Sequence, residues 1–68
     1  MKNSIKVERA KKNITQAQLA KLVGVSRQAI NAIELGKYNL STILALKMAS
    51  VFECKIEELF ILDDEDWK

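Results

Sequence analysis

The 68-residue sequence contains no histidine, no proline, one cysteine and two glycines. Without histidine the chain lacks the commonest general base, and no other residue pattern resembles a nucleophile beside an activating base. A single cysteine cannot form an intramolecular disulfide, and without histidine it leaves no ligand set for a zinc ion. The composition therefore argues against an enzyme, a metal site and a bound cofactor.

Long hydrophobic runs are also missing. No apolar run approaches the roughly 18 residues of a membrane span, and the N-terminus shows no leader pattern. A chain of this length allows one small domain that buries only about 60% of its unfolded surface, so its core is thin. We therefore expect a soluble, cytoplasmic, single-domain protein over residues 1–68, with no membrane partner and no evident small-molecule pocket.

The net charge of +2 conceals an uneven distribution. Residues 1–50 carry nine basic and two acidic side chains, a balance of +7, whereas residues 51–68 carry two basic and seven acidic ones, a balance of −5. A basic body with an acidic end favours a polyanionic partner, although a lysine-rich helical surface often serves only solubility.

Apolar residues recur at every third or fourth position, which predicts helices and no convincing strand. A first helix is expected from about Ser4 to Lys12. Thr15 and Gln18 form a capping box that opens a second helix, and Gly24 suits the left-handed position after its end. The apolar residues that we expect this second helix to bury are Leu19, Ala20, Leu22 and Val23.

A third helix is predicted from Arg27 to Leu35, with Ser26 as its cap and Gly36 after its end. At about 100° per residue, its side chains divide into two faces with Glu34 on the border. The apolar face contains Ala29, Ile30 and Ile33. The opposite face contains Arg27, Gln28, Asn31, Ala32 and Leu35.

Ser41 is predicted to cap a fourth helix, which a short fifth helix follows. The apolar repeat of the fourth helix consists of Ile43, Leu46, Ala49 and Phe52, and the fifth helix presents Ile56, Leu59 and Phe60. The conformation of residues 61–68 is undetermined. The expected fold class is all-α, a compact bundle of five helices.

The second and third helices, over about residues 15–35, form a helix-turn-helix pattern. Ala20 is small where the two helices approach closely, and Gly24 permits the tight turn between them. Val25, Ile30 and Ile33 fill the angle between the helices. The polar face of the third helix then points outward, where it can enter the major groove of DNA.

The segment from Ile14 to Lys37, ITQAQLAKLVGVSRQAINAIELGK, resembles the Cro/cI-type (XRE) helix-turn-helix of phage repressors. The similarity extends from about Ile5 to Phe60. In length the chain is most similar to the small stand-alone bacterial and archaeal regulators of the cytolysin repressor type. The resemblance implies the bundle of a phage-repressor DNA-binding domain and double-stranded DNA as the partner.

The resemblance also implies roles for individual residues. Base contacts are expected from Arg27, Gln28, Asn31 and Ala32. Phosphate contacts are expected from Gln16, Ser26, Lys37 and Tyr38. A partly buried ion pair is expected between Arg9 and Glu34.

The chemistry of these side chains is consistent with such roles. Arg27 can donate two hydrogen bonds to guanine, and Gln28 or Asn31 can pair with adenine. Gln16 and Arg27 lie at helix N-termini, where free amides and the helix dipole favour an anion. Two alternatives stay open: Gln28 and Asn31 as ordinary solvated side chains, and Ala32 as an inert helix former rather than a contact to a thymine methyl.

The C-terminal segment, residues 56–68, is predicted to form a dimer interface, because a small core without a disulfide or metal gains stability from association. In a helix, three consecutive apolar residues would span about 200° and leave one face uncovered. The predicted interface residues are Phe60, Ile61, Leu62 and Trp67. The alternative is that Ile61 and Leu62 fold back onto their own core.

Together these features predict a sequence-specific transcriptional regulator, a repressor that binds a palindromic operator as a homodimer. Two other functions stay open. One is the DNA-binding antitoxin of a toxin–antitoxin pair, in which the acidic end would bind the toxin. The other is a helical protein-interaction adaptor, which the polar face of the third helix disfavours.

Overall fold

The computed structural model describes residues 1–37 and 40–68. Its helices in this part of the chain are α1 (Ile5–Lys12), α2 (Gln16–Val23), α3 (Arg27–Glu34), α4 (Thr42–Phe52) and α5 (Ile56–Leu59). Two short strands, β1 (Lys2–Asn3) and β2 (Phe60–Ile61), and a 3₁₀ helix over Asp64–Trp67 complete the described elements. The predicted helical fold is confirmed.

Hydroxyl side chains cap the N-termini of α2, α3 and α4. Thr15 Oγ1 accepts from the Gln18 amide at 3.0 Å, and Gln18 Oε1 accepts from the Thr15 amide at 2.8 Å, which completes the predicted capping box. Ser26 and Ser41 each accept in the same way from the amide three residues later, at 3.1 Å. These local hydrogen bonds satisfy amides that a helix cannot pair internally.

The turn between α2 and α3 depends on Gly24. Its φ of +80° lies in the left-handed region, and its amide donates to the carbonyl of Ala20 at 2.8 Å. An L side chain rarely adopts this φ, so glycine ends α2 and lets α3 leave at a steep angle.

One cluster of buried side chains joins all the described helices. Its members are Ile5, Leu19, Ala20, Val23, Ile30, Ile33, Leu44, Met48, Ala49, Phe52 and Leu59. Each helix from α1 to α5 contributes at least one of them. The core therefore fixes the positions of α2 and α3, whose relative orientation defines the motif.

For three residues the predicted burial in the core is wrong. Leu22, Ile43 and Leu46 are each more than half exposed. In α2 the buried arc runs through Leu19, Ala20 and Val23, and Leu22 projects on the solvent side of that arc. The face that α4 buries contains the predicted Ala49 and Phe52, together with Leu44, Ala45 and Met48 in place of Ile43 and Leu46.

The two strands were not predicted. They pair antiparallel, Lys2 opposite Ile61 and Asn3 opposite Phe60, and tie the N-terminus to the end of α5. Phe60 therefore leaves the helix that was expected to present it. Because side chains alternate along a strand, the expected 200° helical arc of residues 60–62 does not form.

The acidic C-terminal segment is ordered by its own carboxylates. Asp63 Oδ1 accepts from the Glu65 amide at 3.1 Å, and Asp66 Oδ2 accepts from the Asp63 amide at 3.0 Å. The α-ammonium group of Met1 lies 3.1 Å from a carboxylate oxygen of both Asp63 and Asp66. The tail thus folds back toward β1. None of the described helices is long and apolar enough to cross a membrane.

The attachment of this tail to Met1 should weaken both at acidic and at alkaline pH. The Asp63 amide, and then the Met1 ammonium, lower the pKa of Asp66 below 3.8, so its contribution is lost as the pH falls through that lowered pKa. Asp66 and then Asp63 raise the pKa of the Met1 ammonium above 8.0, so its contribution is lost as the pH rises through that raised pKa.

We therefore expect the fluorescence of Trp67, the only tryptophan, to be constant between about pH 5 and pH 8 and to change on either side. Asp66→Asn should reduce the acid-side change, because the amide at position 66 does not titrate, whereas Asp63 keeps its contacts to Met1 and to the Glu65 amide. A Trp67 signal that never changes while circular dichroism shows intact helices would contradict this attachment.

Candidate nucleic-acid interface

The four predicted base-contact residues share one side of α3. Arg27, Gln28 and Asn31 are exposed and Ala32 is half-buried, whereas Ile30 and Ile33 on the other side of the helix are buried. The helix therefore presents donors of three different shapes to solvent from a backbone fixed against the core. Such a surface matches the dimensions and the hydrogen-bonding groups of a DNA major groove.

The predicted phosphate contacts border this side of α3. Ser26 caps its N-terminus, Lys37 is exposed after its C-terminus, and Gln16 begins α2. Tyr38 lies outside the described residues. In the part of the chain that is described, no carboxylate lies within 4.0 Å of Arg27 or Lys37, so both charges are available to an anion.

An ion pair between Arg9 and Glu34 lies behind this surface. Arg9 Nε donates to Glu34 Oε2 at 2.7 Å and Nη2 donates to Oε1 at 3.1 Å. The two side chains are 15% and 9% exposed, and the bond to Glu34 raises the pKa of Arg9. The structure thus brings together the two residues for which an ion pair was expected, in a two-pronged geometry that is stronger than a single contact.

Arg9 also holds the start of the motif. Its Nη1 donates to the carbonyl of Ile14 at 3.1 Å, just before the capping box of α2. One guanidinium group therefore binds the segment that leads into α2 and the last residue of α3.

Two further contacts fix α3, and sequence reasoning missed both. Asn3 Nδ2 donates to the carbonyl of Ile33 at 3.0 Å, which satisfies the C-terminal end of the helix from β1. Gln16 Nε2 donates to Glu34 Oε1 at 3.1 Å and to Asn31 Oδ1 at 3.2 Å. No local sequence signal indicates either contact, because the partners are separated by at least 15 residues.

The predicted dimer residues divide into two groups. Phe60 packs partly against the core, whereas Ile61, Leu62 and Trp67 are exposed, Trp67 by 77%. Leu62 and Phe60 line a cleft of about 360 Å³ together with Ile33 and Gly36. The C-terminal segment therefore lies beside the C-terminal end of α3.

The described residues contain no group of three or more acidic or cysteine side chains placed to hold a metal ion. The arrangement as a whole offers hydrogen-bond donors and positive charge on one face. Such a face can bind a polyanion.

Comparison with known proteins gives related sequences and a related structure. Residues 5–59 match the family model described as helix-turn-helix. A protein of Methanocaldococcus jannaschii, named an uncharacterised HTH-type transcriptional regulator, is 54% identical over 66 residues, which cover 97% of this chain and 100% of that protein. A Bacillus subtilis protein of the same description is 44% identical over 66 residues, with coverage of 97% and 100%.

Among solved structures, the restriction-modification controller protein C.AhdI from Aeromonas hydrophila is similar. It superimposes with a TM-score of 0.75 and is 32% identical. The match covers 82% of this chain and 85% of that protein.

The ion pair gives a stability prediction. Glu34→Ala leaves the mostly buried Arg9 without its partner, which typically costs about 3–5 kcal/mol of unfolding free energy. Glu65→Ala is the matched control, because the Glu65–Lys68 pair is fully exposed to screening and should contribute less than about 1 kcal/mol. Urea unfolding followed by circular dichroism measures both. A loss of a few tenths of a kcal/mol for Glu34→Ala would show that the pair does not stabilise the fold.

Proposed function

This chain belongs to the helix-turn-helix family and is a DNA-binding transcriptional regulator, and from this premise we propose that it recognises one operator sequence as a homodimer and acts as a repressor. The observation that supports the proposal most directly is the exposed side of α3. Arg27, Gln28 and Asn31 project there from a helix that the core, Arg9 and Asn3 hold in place.

Sequence recognition would come from this exposed side. Arg27 would donate to O6 and N7 of a guanine, and Gln28 and Asn31 would each pair with an adenine. Ala32 would contact the methyl group of a thymine. Because each pattern of donors and acceptors in the major groove belongs to one base pair, these contacts select a sequence.

Binding strength would come mainly from phosphates. Lys37 carries an exposed charge that is paired with no carboxylate of the described residues. Gln16 and Ser26 stand at the N-termini of α2 and α3, where backbone amides attract an anion. The resemblance assigns Tyr38 to the same group. Such contacts orient the protein on any duplex and carry no sequence information of their own.

A homodimer would double the length of the recognised DNA sequence. Ile61, Leu62 and Trp67 are exposed apolar side chains, and association would cover them. Leu62 lies beside the end of α3. A two-fold axis in this region would place two α3 helices in successive major grooves, about 34 Å apart. The operator would then be a palindrome, and a dimer bound at a promoter would exclude the polymerase.

Selection from random duplex DNA tests the recognition proposal. We expect the wild-type chain to enrich one palindromic sequence. Arg27→Ala should weaken binding to that sequence by roughly 1–3 kcal/mol and relax the preference at one position. Lys37→Ala should weaken binding to all sequences about equally, and it should reduce the slope of log affinity against log salt concentration by about one unit.

The two variants serve as controls for each other, since both remove one exposed positive charge. Equal losses on the selected and on random DNA for Arg27→Ala would refute base recognition by this residue. Enrichment of no sequence by the wild-type chain would refute the proposal as a whole.

The dimer is tested by sedimentation equilibrium at micromolar protein. We expect twice the 7.7 kDa mass of one chain for the wild type and for Leu22→Glu, which changes an exposed leucine on α2. Leu62→Glu should give the monomer mass, because it places a charge within the proposed interface. A wild-type monomer, or a dimer that Leu62→Glu leaves intact, would contradict this interface.

A further inference from the structure

The side chain of Gln16 connects the Arg9–Glu34 ion pair to the exposed side of α3. Its Nε2 donates to Glu34 Oε1 at 3.1 Å and to Asn31 Oδ1 at 3.2 Å. The three residues come from α2, the end of α3 and the middle of α3. A continuous series of hydrogen bonds therefore leads from the largely buried Arg9 to the exposed Asn31.

The polarity of this series is fixed from its buried end. Both oxygens of Glu34 accept hydrogen bonds from Arg9, so Glu34 presents only acceptors to Gln16. Gln16 must therefore turn its NH₂ group, not its carbonyl oxygen, toward Glu34. Because the same nitrogen contacts Asn31, the Asn31 side chain must present its oxygen to Gln16 and direct its NH₂ group elsewhere.

The two donor protons of the Gln16 side chain are used up by these two contacts. An amide NH₂ group has two protons, and Glu34 and Asn31 accept one each. The remaining oxygen of Gln16 cannot bind a phosphate oxygen, because both atoms are acceptors. In this arrangement the side chain of Gln16 has no donor left for the phosphate that the family resemblance assigns to it. Its backbone amide is among the first amides of α2, which a helix cannot pair internally.

Asn31, in contrast, retains what base recognition needs. Its NH₂ group keeps two protons and its oxygen keeps a second lone pair. This is the combination that pairs with N7 and N6 of adenine. An asparagine whose amide orientation is already fixed also loses less rotational freedom on binding than a free side chain.

We propose that Gln16 is a positioning residue, which orients the amide of Asn31 for base recognition and is itself oriented by Glu34 and Arg9. This inference rests on the proposed function, in which α3 contacts bases. It assigns part of the base preference to Arg9 and Glu34, two residues that lie behind the exposed side of α3.

A double-mutant cycle on the selected operator tests the Gln16–Asn31 link. Affinities are measured for the wild type, Gln16→Ala, Asn31→Ala and the double variant. We expect the loss caused by Asn31→Ala to be smaller by about threefold or more when Gln16 is already alanine, since coupled neighbours are not additive. The matched control combines Gln16→Ala with Gln28→Ala. Gln28 lies on α3, as Asn31 does, but its side chain makes no hydrogen bond to Gln16 in the described structure. That pair should be additive.

Glu34→Gln tests the buried end of the series while keeping the shape of the side chain. An amide at position 34 can accept or donate, so it no longer dictates the orientation of Gln16. Selection from random DNA, at a temperature where circular dichroism shows the variant folded, should then give a broader base preference at the position that Asn31→Ala also relaxes. The position that Arg27→Ala relaxes should keep its preference. If the role of Glu34 were purely structural, Glu34→Gln would weaken binding to all sequences without this selective change.

The outcomes separate this inference from the function on which it rests. Additivity of Gln16→Ala and Asn31→Ala, with a wild type that still enriches one sequence, overturns the positioning role alone. The same holds if Gln16→Ala weakens selected and random DNA equally and lowers the salt slope by about one unit, since Gln16 would then be a phosphate contact. A wild type that enriches no sequence overturns both the proposed function and the inference.

Discussion

The ion pair between Arg9 and Glu34 anchors the C-terminal end of α3. Arg9 binds Glu34 at the end of α3 and the Ile14 carbonyl before α2, so one guanidinium group spans the motif. Transfer of two charges away from water is costly, and such a pair stabilises a protein only when its hydrogen bonds are complete. Here they are largely complete, because Gln16 also donates to Glu34. The pair therefore also orients α3, because it joins the end of this helix to the segment before α2.

The hydrogen bonds that Arg9, Asn3 and Gln16 make to α3 supplement a thin core. The cluster that joins the helices includes only five fully buried large side chains, among them Ile30 of α3. The buried residues Ile30 and Ile33 set which face of α3 meets the core, because the interior is close-packed. The hydrogen bonds from Arg9, Asn3 and Gln16 are directional and act on the C-terminal half of the helix. Rigid support of this kind is what a recognition surface requires, because a loosely held side chain loses selectivity between bases.

Local chemistry explains which features the sequence could predict. The caps at Thr15, Ser26 and Ser41 and the left-handed Gly24 involve residues at most four apart, so their signals are complete within a short window. The buried face of α4 was predicted only in part, because eight of its eleven residues are apolar and several faces fit the period. The strands are two residues long, too short for an alternating pattern. The Gln16–Asn31 contact requires the docked geometry of two helices, which no local pattern contains.

The central claim is that the exposed side of α3 is the surface that recognises DNA. The most direct measurement is an NMR titration of isotopically labelled protein with its selected operator duplex, which follows backbone and side-chain amides together. We expect the largest shifts over residues 27–32, in the side-chain amides of Gln28 and Asn31, and at the backbone amide of Gln16. Shifts confined to residues 60–68, with those of α3 unchanged, would contradict the claim.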